Sequence, residues 1–179
     1  MQKKTMVELN RESTEEFRAK KKFPIAVVLD NVRSLNNIGS IFRSSDAFCV
    51  ERIMLCGITA TPPSVEIHKT ALGAEDSVAW TYHETTLQAI DQLKADGWIL
   101  CAIEQAHNSI SLEQFTVDTT KKYAIVLGHE VYGVDQAVVD ACHHCIELPQ
   151  FGTKHSLNEA ATTGITLWHF ARPHFPTQV

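Results

Sequence analysis

A surplus of positive charge is what this sequence most plainly lacks. Its 16 Lys and Arg stand against 21 Asp and Glu, a formal net charge of −5. The bulk signature of a nucleic-acid binder is therefore missing, and any such role must rest on a local basic patch. Arg18, Lys20, Lys21 and Lys22 form one such cluster, which serves equally well as a solvated N-terminal segment. Cysteines are few and odd in number: Cys49, Cys56, Cys101, Cys142 and Cys145. Spread over predicted strands and helices, they argue against a disulfide framework and for reduced thiols. Cys142-His143-His144-Cys145 has the spacing of half a zinc site, but no second ligand pair accompanies it, so no metal is expected. No apolar run is long enough to span a bilayer, and the polar start Met1-Gln2-Lys3-Lys4 is unlike a signal peptide. A cytoplasmic protein without membrane association is the expectation. Internal repeats and low-complexity segments are absent. So are Gly-x-Gly-x-x-Gly after the first predicted strand and any Walker A sequence, which removes the main support for two common nucleotide-binding readings.

What is present is an ordinary globular balance. The 179 residues are 44% hydrophobic and 21% charged, enough for one domain with a sizeable core. Residues 1–22 are polar and read as a short extension, with Ser13 and Glu16 placed as the capping box of a brief helix. The domain proper is expected over residues 23–174. Apolar runs at Ile25–Leu29, Arg52–Cys56, Val78–Tyr82, Trp98–Ile103, Tyr123–Leu127 and His144–Leu148 read as buried strands. Helical patterns fall between them, at about Ile38–Phe48, Val65–Leu72, Thr85–Ala95 and from an Asp135 cap to Cys142. One further helical turn is expected near Ser111. Alternating strands and helices imply an α/β fold, a mostly parallel sheet with helices on both faces.

The last strand runs into Leu148-Pro149 and a loop, and Ser156 is predicted to cap the final helix, with Glu159 completing a capping box. A capped helix after a strand accounts for this stretch locally. Yet polar clusters follow three of the strands: Asn37 to Arg43, Gly128-His129-Glu130, and Ser156-Leu157-Asn158. Parallel strands share one carboxyl edge, so the three can meet in one crevice. Arg, Glu, Asn and Ser together suit an anionic or polyhydroxy ligand, and Arg43 can clamp a phosphate bidentately.

These clusters carry a resemblance. Asn37-Ile-Gly-Ser-Ile-Phe-Arg43, with Ser45-Asp46-Ala47 behind it, is similar to the first motif of the SpoU (TrmH-like) branch of the SPOUT RNA methyltransferases. Ile125-Val-Leu-Gly-His-Glu130-Val-Tyr-Gly133-Val is similar to the second. Leu148-Pro149-x-x-Gly152-x-x-x-Ser156-Leu157-Asn158 is similar to the third. The order and spacings agree over about residues 24–170.

The resemblance implies a C-terminal trefoil knot, an exception to the rule that chains do not thread loops. It also implies S-adenosylmethionine as methyl donor, homodimers with each active site at the subunit interface, and methyl transfer to a ribose 2′-hydroxyl of structured RNA, tRNA or rRNA rather than DNA. Matched residue by residue, the donor site is Gly128, Leu148 and Leu157, with Glu104 after the fourth strand. The catalytic set is Arg43 with Asn37, Glu130, Ser156 and Asn158. Family mechanisms give Arg43 the hydroxyl proton. Arginine stays protonated to a pKa above ~12, so a phosphate clamp and stabiliser of the developing alkoxide is the alternative role. His129 and His155 are expected to face solvent, with contact to ligand as the alternative, Phe151 to stack on a base or pack in the dimer, and Trp168 and Phe170 to be core or dimer contacts. Two other functions stay open: a non-catalytic knotted RNA-binding module, and the same fold methylating another RNA position.

Overall fold

Strand and helix alternate along the chain, and the computed structural model, which describes residues 1–5, 8 and 11–176, gathers the strands into one sheet. Among the described residues these are β1 (Phe23–Asp30), β2 (Val50–Cys56), β3 (Trp80–His83), β4 (Trp98–Ile103), β5 (Ile110–Ser111), β6 (Lys122–Leu127) and β7 (His144–Glu147). Their spatial order is β3-β2-β1-β6-β4-β7-β5, and every pairing is parallel. A parallel sheet covered on both faces needs apolar side chains at successive positions. In β1, Ile25, Val27 and Leu29 enter one core with Ile53, Leu55, Ile125 and Leu127, while Ala26 and Val28 enter the other with Met54, Ala124 and Val126.

The helices are α1 (Thr14–Ala19), α2 (Leu35–Ala47), α3 (Val65–Ala71), α4 (Ala74–Ser77), α5 (Thr86–Ala95), α6 (Gln136–Ala141) and α7 (Glu159–Ala171). Ile38, Ile41 and Phe42 of α2, Ile67 of α3, and Leu167 and Phe170 of α7 close the first core. Ala89, Ile90 and Leu93 of α5 with Val138 of α6 close the second. Each fully buried Ile, Leu, Val or Phe among them contributes about 1.5–3 kcal/mol, so the two cores dominate the favourable side of folding. The capping box at Ser13 forms as expected, Ser13 Oγ accepting from the Glu16 N–H at 3.2 Å and the Glu16 carboxylate accepting from the Ser13 N–H at 2.7 Å. The helix it starts lays Phe17 into the first core.

Local corrections have local causes. Helix α2 begins at Leu35, before the expected Ile38, because Ser34 takes the cap and accepts from the Asn37 N–H at 3.3 Å. The strand expected at Val78–Tyr82 is displaced to Trp80–His83, because α4 uses Val78 as its C-cap. The turn expected near Ser111 is a 3-10 turn, Leu112–Gln114. The strand expected to Leu148 pairs only to Glu147, and Leu148 stays buried just beyond it.

The order of the sheet positions the site. Strands β1, β6, β4 and β7 are neighbours, so the loops at their carboxyl ends emerge side by side. Asp30, 2% exposed, braces that edge. Its carboxylate accepts from Thr86 Oγ1 at 2.5 Å, Asn31 Nδ2 at 2.9 Å and the Asp135 N–H at 2.9 Å. One buried side chain thereby pins the starts of α5 and α6 to the end of β1.

Candidate functional site

Three residues from three distant segments form a hydrogen-bonded chain at this edge. Glu130, in the loop after β6, accepts from the Arg33 N–H at 3.1 Å, the Ser34 N–H at 2.8 Å and Asn37 Nδ2 at 3.0 Å. Asn37 Oδ1 in turn accepts from Asn158 Nδ2 at 3.1 Å. Asn158 Oδ1 accepts from the Ala160 and Ala161 N–H groups at 3.0 and 3.3 Å. The ends dictate the orientation of both amides: an ionised carboxylate can only accept, and backbone N–H groups can only donate. Burial raises the Glu130 carboxyl, but the hydrogen bonds from backbone and Asn37 outweigh it and hold the group below the usual carboxylate range. Glu130 is thus a charged anchor, unsuited to taking up a proton near neutral pH.

Beside this chain lies a cleft of about 310 Å³. Its floor is the loop after β6, folded back so that His129 and Gly133 exchange backbone hydrogen bonds of 3.0 and 2.8 Å. Glycine is required twice here. A Cβ on Gly128 would stand 2.1 Å from the Gly133 carbonyl carbon, and one on Gly133, whose φ is +70°, 2.0 Å from Glu104 Oε2. Glu104 clamps the loop by accepting from the Val134 N–H at 3.0 Å, and Gln105 Nε2 donates to the His155 carbonyl at 2.7 Å, tying in the segment before α7. Ile103, Leu148 and Leu157 supply apolar wall, and Glu104, Glu130 and Glu159 supply carboxylates. Among the described residues that line the cleft there is no Lys or Arg. Burial first, then the charges of Glu130 and Glu104, push the Glu159 carboxyl up to about 7, with the Gly128 backbone pulling the other way.

All four expected donor-site residues, Gly128, Leu148, Leu157 and Glu104, line this cleft, as do Glu130 and Ser156 of the expected catalytic set. Asn37 and Asn158 join through Glu130. Arg43 does not. It is exposed on α2 and absent from the cleft lining. Six residues beyond Asn37, it stands about 9 Å along the helix and about 120° round it. The predicted cap at Ser156 is corrected. Helix α7 starts at Glu159 and Asn158 is its N-cap, because an Asn carbonyl at that position reaches two orphan N–H groups at once. Ser156 is exposed in the preceding loop, and Glu159, the supposed partner in a capping box, is the first helical residue. His129 and His155 both line the cleft, His129 half-buried and His155 exposed as expected.

The family model for the SpoU rRNA methylases matches residues 24–168. This chain belongs to that family. It is 30% identical over 151 residues to the 23S rRNA (guanosine-2′-O-)-methyltransferase RlmB of Nitrosomonas europaea, covering 84% of this chain and 56% of that one. The SpoU chain thus spans little more than half the length of that relative. Its fold superposes on the AdoMet-bound rRNA methyltransferase of Sinorhizobium meliloti with a TM-score of 0.80 at 28% identity, covering 90% of this chain and 61% of the other. It superposes on the A. aeolicus TrmH/SpoU tRNA modifying enzyme with a TM-score of 0.77 at 26% identity, covering 89% and 79%.

Sequence reasoning missed two residues in this SpoU domain. Asp30 carries a signal, an acid directly after the buried run Ile25–Leu29, and the strand includes it. Glu159 was read as a capping side chain. Its place on the cleft wall depends on where α7 starts, which the capping pattern misplaced.

Proposed function

We propose that this SpoU protein is an S-adenosylmethionine-dependent methyltransferase acting on a ribose 2′-hydroxyl of structured RNA, tRNA or rRNA. The observation that carries this reading is the chain Asn158–Asn37–Glu130 set against the cleft, which joins all three motifs in one site. The donor set fits the group. A sulfonium is a cation, and a wall of carboxylates and aliphatic side chains free of Lys and Arg accommodates one. The two glycines let backbone crowd where side chains would intrude.

Bound there, the donor supplies an electrophilic methyl group. The chain's task is to bring the hydroxyl into line and stabilise its developing charge. Glu130 and Asn37 set the loop after β1 and the start of α7 in fixed relation, and Ser156 lines the cleft beside them. Arg43 is exposed and lies outside its own chain's cleft, which supports reading the active unit as a homodimer in which each Arg43 serves the partner's cleft. Exposed Ile165 and Trp168, on one face of α7, provide an apolar surface for that contact. In the same reading the segment after β7 threads a loop to form a trefoil knot, residues 1–22 are an extension to a domain over 23–174, and the protein works in the cytoplasm. No helix among the described residues is long and apolar enough to cross a membrane.

Purified protein, radiolabelled donor and total RNA test the reading directly. Label retained in alkali-resistant dinucleotides is the expected result. Label recovered on bases would redirect the chemistry to another RNA position. Donor-free behaviour, with RNA bound and S-adenosylhomocysteine not bound, would leave a binding module.

A further inference from the structure

The cleft holds more carboxyl groups than its anchoring needs. Glu130 is fixed by three hydrogen bonds to the loop after β1 and to α2. Glu104 is fixed by the Val134 and Gln105 N–H groups. Glu159 differs: as the first residue of α7 it lines the same cleft, half-buried, within reach of the charges of the other two. The other titratable side chains facing this space are His129 and Tyr132 from the loop after β6 and His155 from the loop before α7. Helix α2, packed against α7, contributes Asn37. Its charged Arg43 and Asp46 lie about 9 and 14 Å further along the axis.

Resting on the donor reading above, we infer that Glu159 is a charge-sensing, specificity-determining residue that distinguishes the sulfonium donor from the neutral thioether product by ionising against the first and taking up a proton beside the second. In the unliganded cleft its carboxyl is neutral over much of the range below about 7. A cation beside it favours the ionised form and draws that value down. Donor binding to protonated Glu159 then releases one proton to solvent. Methyl transfer replaces the hydroxyl proton by a methyl group and leaves a thioether without charge, so Glu159 loses its cation and takes a proton up again. The cycle as a whole yields one proton, as the reaction requires. Glu159 thereby favours donor over product, and it does so increasingly as pH rises through its titration. Below that range both ligands meet a neutral carboxyl and the preference disappears.

Calorimetry of S-adenosylmethionine and S-adenosylhomocysteine with the full chain and with Glu159→Gln tests this at about pH 5.5 and about pH 8.5. The donor's own ammonium is drawn down by its sulfonium, whereas the product's is not, so the ligands' titration is read in Glu159→Gln and divided out. Between the two pH values the wild-type ratio of affinities should rise, relative to that in Glu159→Gln, about tenfold for each pKa unit by which the sulfonium lowers Glu159, with the donor's binding enthalpy varying between buffers of different ionisation enthalpy more steeply in the wild type. A wild-type ratio whose pH dependence equals that of Glu159→Gln overturns the role of Glu159 while both ligands still bind. If neither ligand binds, the donor reading itself falls, and this inference falls with it.

Discussion

Asn158 does two jobs with the two ends of one amide. Its carbonyl caps α7 and its amide nitrogen holds Asn37. The jobs separate by substitution. Asn158→Ala removes both, and loss of an N-cap costs about 0.5–2 kcal/mol. Asn158→Asp restores an acceptor to the helix start, where a negative charge also suits the helix dipole. It has no N–H to give Asn37, and its carboxylate would face a carbonyl oxygen. Thermal unfolding should therefore show Asn158→Asp close to wild type and Asn158→Ala clearly lower. Single-turnover methyl transfer should fall in both, by about tenfold, the effect of losing about 1.4 kcal/mol of positioning. An active Asn158→Asp would mean that capping alone explains the residue.

Between elements, α2 and α3 approach closely near the site. A Cβ on Gly39 would stand 2.3 Å from the Ile67 carbonyl oxygen and 2.1 Å from Thr70 Oγ1. Thr70 Oγ1 already donates to the Asn36 carbonyl at 3.0 Å, so it has little freedom to retreat. In an exposed helix Gly→Ala would stabilise by about 1 kcal/mol. Here overpacking against backbone should reverse the sign, with Gly39→Ala losing about 1–3 kcal/mol in denaturant unfolding. That clash also explains a motif glycine that neither turns the chain nor approaches a ligand. The elements legible in the sequence were those with a long apolar run or a strong cap, such as β1, β6 and α5. Those that were not legible depend on their neighbours. Strand β5 has two residues and exists by pairing with β7, and α4 has four residues and no side-chain cap. Most of the site was legible because its motifs follow buried strands. The start of α7 was misplaced because Ser156 and Asn158 are both good caps, and a hydrogen bond to Asn37, 121 positions away, accompanies the choice of Asn158.

At the scale of the whole molecule, α2 and α7 run side by side in the same direction. Asn37 meets Asn158 at one end, and Phe48 meets Trp168 edge-on at 6.1 Å towards the other. Their outer faces leave Arg43 on one helix and Ile165 and Trp168, the latter 53% exposed, on the other. A two-fold contact across this surface is isologous, so each chain offers its Arg43 to its partner as it receives the partner's. If that arginine completes the other chain's cleft, defects in Arg43 and in Glu130 must complement. Arg43→Ala and Glu130→Ala homodimers should each be inactive. A heterodimer isolated with two different tags contains one site with both groups intact, and should recover about half of the wild-type rate. An arginine serving its own chain would leave both sites of that heterodimer defective and the rate at the homodimer level. Trp168→Glu supplies the matching physical control. Burying an unpaired charge in an apolar contact costs several kcal/mol, so sedimentation should find a monomer that still binds donor but transfers no methyl group. A Trp168→Glu chain that stays dimeric would move the interface elsewhere and leave the exposed arginine without a cleft to serve.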